Sequence, residues 1–266
     1  MVAESSSLSG KVAIVTGGAK GIGGGVVRVF AARGAKVVFN DVDEAAGERQ
    51  AAEVTAAGGV AYFVPGDVTR PDDVRRLVEV AVERHSELHV VVNNAAIIAT
   101  GLPEETSVEE WDHLFHVNVR SIFLTCKYAV PHLRRARRGA IVNIGSVSSV
   151  VAQQDTPAYC ASKGAVLMLT KALALDYGPA GIRVNCLMPG ITNTPMLQAH
   201  LSYQEDAEAH LQERLARVPT GQLLEPEDLG RAAAFLASDE SIPTNGASLV
   251  VDGGYSACAE FYPKGA

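Results

Sequence analysis

Thr16-Gly17-Gly18-Ala19-Lys20-Gly21-Ile22-Gly23 follows directly on an apolar run, residues 12–15, and leads into a helical stretch, residues 23–33. The order is strand, glycine turn, helix. Glycines there permit a tight turn and let the backbone approach a pyrophosphate, which the positive end of the helix attracts. Gly-rich turns also arise for packing alone, so its meaning depends on its surroundings.

Working outward, the same rhythm continues to the end of the chain. Strands are expected at residues 12–15, 36–40, 61–64, 88–92, 140–144, 183–187 and 248–251, most of them nearly continuous apolar runs. Such runs suit strands covered on both faces. Helices are expected at 23–33, 44–56, 71–85, 108–133, 157–177 and 226–237, several opening on proline, which the first helical turn tolerates. Alternation of this kind gives an α/β fold, a doubly wound parallel sheet of about seven strands with helices on both faces. With neither linker nor repeat, residues 1–266 read as a single domain. Residues 194–220 break the rhythm, being polar and partly helical, and read as an insertion near the site or as a surface helix pair.

The composition narrows the function classes. The chain has 266 residues and a net charge of −7, which disfavours a nucleic-acid partner. Arg134, Arg135, Arg137 and Arg138 form a dense basic run, expected at a helix end where cations complement the dipole. Cys126, Cys160, Cys186 and Cys258 have no metal-ligand spacing and are expected to be reduced thiols of a cytoplasmic protein; no metal is expected. Neither a signal peptide nor an uncharged apolar run of membrane-spanning length is read.

Two positions carry the chemistry. The second strand ends at Asn40-Asp41, and a carboxylate there suits the adenosine ribose hydroxyls and repels a 2′-phosphate. Asp41 could instead cap the next helix, although Asp43 can do so too. Lys20, inside the turn, points the other way, since a cation could meet the phosphate of NADP. NAD is therefore expected, with NADP the less favoured cofactor. Further on, Tyr159 and Lys163 share one helix face. An ammonium one turn away favours the phenolate and brings a general acid/base closer to neutral pH. A YxxxK pair alone recurs by chance. Ser146 lies just beyond the strand at 140–144, where ligand residues of open α/β sheets collect.

The whole ordered set resembles the short-chain dehydrogenase/reductase family, of Rossmann type, from Lys11 to about Tyr255. The elements that match are the turn at Thr16–Gly23, Asp67-Val68, Asn93-Asn94-Ala95, Asn118, Ser146, Tyr159 with Lys163, Pro189-Gly190-Ile191-Thr192-Asn193-Thr194 and Val251-Asp252-Gly253-Gly254.

The resemblance implies the roles. Tyr159 exchanges the proton, Ser146 orients the substrate oxygen, and Lys163 lowers the Tyr159 pKa and binds the nicotinamide ribose. Asn118 positions a water on a proton path. Gly17, Lys20, Gly21, Ile22 and Gly23 belong to the cofactor turn, with Asp41 at the ribose. Asp67 and Val68 meet the adenine, and Asn94 with Ala95 meets the adenosine side or supports the turn. Pro189, Gly190, Ile191, Thr192 and Thr194 hold the carboxamide and pyrophosphate. Asn118 as an ordinary buried amide and Thr194 as a helix cap are the competing readings. Where the family commonly has glycine after Asn-Asn-Ala, this chain has Ala96, which a positive φ would penalise.

The implied function is hydride transfer between NAD(H) and a secondary alcohol or its ketone. Ser148, Gln153, Gln154, Met196, His200 and Tyr203 are the expected substrate wall, whose polar members suit a sugar or polyol. An NADPH-dependent reductase of 3-oxoacyl or other carbonyl substrates is the alternative that Lys20 favours. A catalytically silent dinucleotide sensor is a third, opposed by the complete Ser-Tyr-Lys-Asn set. Family habit implies a homotetramer. Cys160 beside Tyr159 is expected to pack beneath its helix.

Overall fold

The computed structural model describes residues 7–136, 138–202 and 206–258. Seven parallel strands form one sheet in the order β3-β2-β1-β4-β5-β6-β7. They are β1 (Val12–Thr16), β2 (Lys36–Asp41), β3 (Val60–Pro65), β4 (Val90–Asn93), β5 (Gly139–Ile144), β6 (Ile182–Pro189) and β7 (Ser248–Val251). The chain winds outward from β1 to β3, then returns to place β4 on the other side of β1. This reversal opens a crevice at the carboxyl ends of β1 and β4, where doubly wound sheets bind ligands.

Alternation along the strands feeds two cores. Ala13, Val15, Val37, Phe39 and Val142 face α1 (Gly21–Ala32), α2 (Glu44–Ala56) and α9 (Pro226–Ala237). Val12, Ile14, Val38, Val91, Ile141 and Val184 face α3 (Pro71–His85), α5 (Ser121–Arg135) and α6 (Pro157–Tyr177). Glycines bring α1 against α9: a Cβ on Gly230 would stand 2.7 Å from the Gly25 carbonyl oxygen. The helix and its following turn at 157–180 are long and apolar enough to cross a membrane by composition. They carry Lys163, however, and pack on β5 and β6 as a core element.

The stretch expected as one helix over 108–133 is two helices. α4 (Val108–Phe115) opens on a capping box between Ser107 and Glu110, and a π-helical turn, His116–Arg120, joins it to α5. The apolar spacing runs on through the join, so the periodicity gives no sign of it. Residues 194–220 contain α7 (Pro195–Leu201) and α8 (Ala207–Leu215). Arg134 and Arg135 end α5 as expected, and Arg137 lies outside the described residues. Cys126, Cys160 and Cys186 are free thiols.

Candidate active site

Gly17 and Gly21 take φ of 64° and 53°, so the turn uses the conformations that glycine alone adopts cheaply. Gly18 approaches Phe39, and Gly23 lies against the Gly17 carbonyl and the Asn94 amide, so a methyl at either would collide. The Asn94 amide donates to the carbonyls of Thr16 (3.0 Å) and Gly17 (2.9 Å), and the Asn94 N–H donates to Thr16 Oγ1 (3.0 Å). Asn94 thus supports the turn, one of its two expected roles. No side chain caps the start of α1. Its first N–H groups, beside closely approachable glycines, fit a dinucleotide pyrophosphate.

The carboxylate of Asp41 accepts from Ala19 N (3.1 Å) and Asp43 N (3.1 Å), which fixes it at the rim of the turn. The cap of α2 is Asp43, whose Oδ1 accepts from Ala46 N at 3.0 Å. Lys20 forms an ion pair with Asp43 Oδ2. The cation that argued for NADP is therefore matched within the protein. Asp67 accepts from the N–H and hydroxyl of Thr69, both at 2.8 Å, and Val68 is buried with Val74 and Val117.

The loop after β6 closes on this turn. Gly190 passes so near Asp252 that a Cβ would stand 2.7 Å from its Cα. Thr192 is buried and bridges to Leu224. Thr194 caps α7 by accepting from Leu197 N (3.2 Å), and its methyl would lie 3.4 Å from a Cβ on Gly21. The cap reading of Thr194 holds together with its place beside the glycine turn. Among the described non-glycine residues only Ser86 and Asp155 have positive φ, so Ala96 carries its Cβ without backbone strain.

Ser146, Tyr159 and Lys163 come together where β5 ends against the first turns of α6. Ser146 Oγ accepts from Ser148 N at 3.0 Å. Burial pushes the Tyr159 phenol up to about 12, and its hydrogen bond with Ser146 pulls the other way. Lys163 donates to the Ile144 carbonyl at 2.9 Å, and its Nζ stands 5.6 Å from the centre of the Tyr159 ring. Burial also draws the Lys163 ammonium down to about 8. The expected depression of Tyr159 by Lys163 is not reached by the protein groups alone. Both side chains are desolvated, and burial opposes the charged form of each.

Asn118 sits in the π-helical turn, a type of local widening frequent at functional sites. Its amide pairs with Ile97 in both directions (Ile97 N to Oδ1, 2.8 Å; Nδ2 to Ile97 O, 2.9 Å) and donates to Ser162 Oγ at 3.0 Å. Ser162 in turn donates to the Tyr159 carbonyl at 2.8 Å, so Asn118 ties the turn to the helix bearing Tyr159. Cys160 anchors the loop before α6 through Thr156 Oγ1 (3.6 Å) and Gln153 N (3.5 Å).

A supporting set escapes the sequence reading. The Asn93 amide donates to Asn143 Oδ1 at 2.8 Å, and Asn143 donates to Thr170 Oγ1 at 2.9 Å. This buried chain fastens α6 to β4 and β5. Its signal was visible as asparagines within otherwise apolar strands, because a buried amide demands partners. Of the expected substrate wall, Ser148 is buried, Gln153, Met196 and His200 are half-buried, and Gln154 is exposed. Tyr203 lies outside the described residues.

The family model described as enoyl-(acyl carrier protein) reductase matches residues 17–256. The cyclopentanol dehydrogenase of Comamonas sp. (strain NCIMB 9872) is 40% identical over 247 residues, spanning 93% of this chain and 97% of that protein. The chain belongs to the short-chain dehydrogenase/reductase family. The L-fucose dehydrogenase of Mus musculus, at 43% identity over 247 residues, spans 92% of this chain and 88% of its own. The solved 3-ketoacyl-(acyl-carrier-protein) reductase from Brucella melitensis, complexed with NADH, superposes with a TM-score of 0.85 at 36% identity, covering 94% of this chain and 99% of that one. As a short-chain dehydrogenase/reductase the chain is an oxidoreductase that uses a nicotinamide dinucleotide.

Proposed function

We propose that the chain is an NAD-dependent dehydrogenase of secondary alcohols, with Tyr159 as proton acceptor. The observation that carries this is the convergence of Ser146, Tyr159 and Lys163 at the end of β5, beside a glycine turn built for a dinucleotide. Ser146 orients the alcohol oxygen, and Tyr159 takes its proton. Lys163 holds positive charge next to the phenol and binds the nicotinamide ribose, while Asn118 keeps α6 in register with the π-helical turn and positions a water on the proton path. When bound, the nicotinamide ring accepts the hydride and adds positive charge that favours the phenolate. The protein contributes orientation and electrostatics.

NAD is preferred over NADP because Asp41 stands at the end of β2 and Lys20 is engaged by Asp43. Asp67, Val68 and Ala95 frame the adenosine side, and Pro189, Gly190, Ile191, Thr192 and Thr194 the other end of the cofactor. Residues 194–220 form the substrate segment. Ser148, Gln153, Met196 and His200 suit a ring alcohol or sugar, in keeping with the cyclopentanol and L-fucose dehydrogenases among its relatives.

We also infer a homotetramer. Trp111, Phe123, Met168 and Leu175 leave an exposed apolar face across α4, α5 and α6, and Phe235, Ile242 and Val250 leave a second near β7. Two separate faces suit two kinds of subunit contact. The free thiols Cys126, Cys160 and Cys186 suit a reducing compartment such as the cytoplasm. The deciding experiment is a panel of secondary alcohols and sugars with NAD⁺, followed by NADH absorbance. Reduction of NAD⁺ by one of them is expected, and a panel inert with both NAD⁺ and NADP⁺ overturns the reading.

A further inference from the structure

Helix α8 sorts its charges against the usual rule. Glu208, Gln212 and Glu213 are exposed, and Gln212 donates to Glu208 at 2.8 Å. His210, Leu211, Arg214 and Leu215 are half-buried at the spacing of one helix face. Both basic residues therefore face inward and both acids outward. A cation turned inward ordinarily finds a carboxylate. Among the described residues, the Arg214 guanidinium has neither an ion pair nor a hydrogen bond.

Among the described residues, the titratable groups that act on it are Arg217 and Tyr255. The His200 ring of α7 stands 6.4 Å from the His210 ring, and the Arg217 guanidinium lies 5.3 Å from the Tyr255 ring centre. Burial disfavours charge on Arg214, Arg217 adds to this, and Tyr255 opposes it. His200 is pulled below its ordinary range by burial, then by Arg214 and His210. In a chain with 30 acidic and 23 basic residues, this is a local reversal of charge.

The cluster also has a fixed place. The segment that carries it is held at its base by the Thr192–Leu224 bridge and beside the glycine turn by Thr194. Its far end packs on Gly253, where a Cβ would meet Thr220 Oγ1 at 2.5 Å. It therefore belongs to the carboxyl end of the sheet, on the segment assigned to the substrate.

We propose that His200, Arg214 and Arg217 form an anion subsite, so that the preferred substrate is an alcohol carrying a carboxylate away from its carbinol carbon. This rests on the dehydrogenase reading above. A guanidinium offers the planar fork that a carboxylate accepts, and one half-buried arginine beside a neutral histidine matches a single negative charge. Binding the carboxylate would supply the counterion that Arg214 does not find among the described residues.

The test compares the full chain with Arg214→Met and Arg214→Lys, using NAD⁺ with cyclohexanol or 3-hydroxycyclohexanecarboxylate. The acid should be preferred in the wild type. The ratio of kcat/KM, acid over cyclohexanol, should fall about tenfold or more in Arg214→Met, as expected for losing a charged hydrogen bond, mainly through KM. Arg214→Lys should recover part of it. A ratio near one in the wild type, or unchanged by Arg214→Met, overturns the subsite and leaves the dehydrogenase reading intact. If neither alcohol is oxidised, benzoate decides: it should raise the melting temperature of the wild type with NADH, and less so that of Arg214→Met. Equal shifts in both overturn the subsite, whereas a difference supports it whatever becomes of the reaction.

Discussion

The glycine turn and residues 194–220, proposed above to hold the substrate, lie at the same end of the sheet and are built in opposite ways. Asn94 makes three hydrogen bonds into Thr16 and Gly17, and Asp41 collects N–H groups from Ala19 and Asp43. Residues 194–220 are fastened near their ends, through Thr192, Thr194 and the contact of Val218 and Thr220 with Gly253. Between those ends, α7 and α8 present side chains such as Met196, His200 and Arg214. A phosphate-binding turn works through backbone N–H groups, so its constraints fall on glycines and on the residues that hold them. A substrate wall works through side chains on ordinary helices, and many residue types can serve. One region is fixed in shape, and the other is open to adjustment.

The largest effect should come where the two regions meet. Tyr159→Phe removes the phenol oxygen and keeps the ring. Turnover should fall by at least about a hundredfold, the usual contribution of a positioned acid/base group. NADH affinity, read by fluorescence titration, should stay as it was. Joint loss of turnover and NADH binding would show that the regions are not separable at Tyr159.

Gly23→Ala attacks the rigid side. The added methyl meets the Gly17 carbonyl and the Asn94 amide, and neither has room to retreat. Overpacking of this kind costs about 1–3 kcal/mol, and NADH binding should weaken with it. Urea denaturation checks the first effect and titration the second. A variant as stable as the wild type, with unaltered NADH binding, would mean that the turn is as yielding as the substrate segment.

This contrast explains what the sequence revealed. The strands, the glycine turn and the placement of Tyr159 and Lys163 one turn apart near the start of α6 follow from spacing, and the structure extends most strands by only one or two residues. The break of the stretch 108–133 at His116–Arg120 could not be read, because a π-helical turn changes hydrogen-bond partners without interrupting the apolar pattern. The inward face of α8 was equally hidden. His210 and Arg214 look like surface residues until burial shows which face of the helix they occupy. The pKa values of the Tyr159–Lys163 pair were hidden too, since burial opposes the Coulomb effect that the spacing suggests.

Lys163→Met measures that burial. The folded pKa of Lys163 lies at about 8, below its ordinary 10.5. Below the folded pKa the lysine is charged in both states, and charging it inside costs the native state about 3 kcal/mol. That penalty fades as pH rises from about 8 towards 10.5. Methionine removes it but forfeits the bond to Ile144, a loss of about 1–3 kcal/mol. The variant should therefore gain about 1 kcal/mol over the wild type at pH 7, with the advantage disappearing near pH 10. It should also lose turnover. Urea midpoints for both proteins at the two pH values check the sign. An advantage that grows with pH would refute it.

The smallest effect concerns the rim of the rigid region. Lys20 and Asp43 are each about half exposed, so solvent screens the pair and it adds little to stability. Its worth to function lies in where it keeps the ammonium. Asp43→Asn retains a side-chain oxygen to cap α2 but releases Lys20 from a formal negative charge. The ammonium is then available to a 2′-phosphate, while Asp41 still disfavours one. NADPH affinity should rise by a few-fold at most, within the range of a single exposed ion pair, and NADH affinity should hold. Added salt should shrink the gain, because the new attraction is between exposed charges. Fluorescence titration with each cofactor at low and high salt separates this from a change in the turn itself, which would alter NADH binding as well. If NADPH gains nothing, Asp41 alone sets the cofactor preference, and the Lys20–Asp43 pair serves only to steady the start of α2.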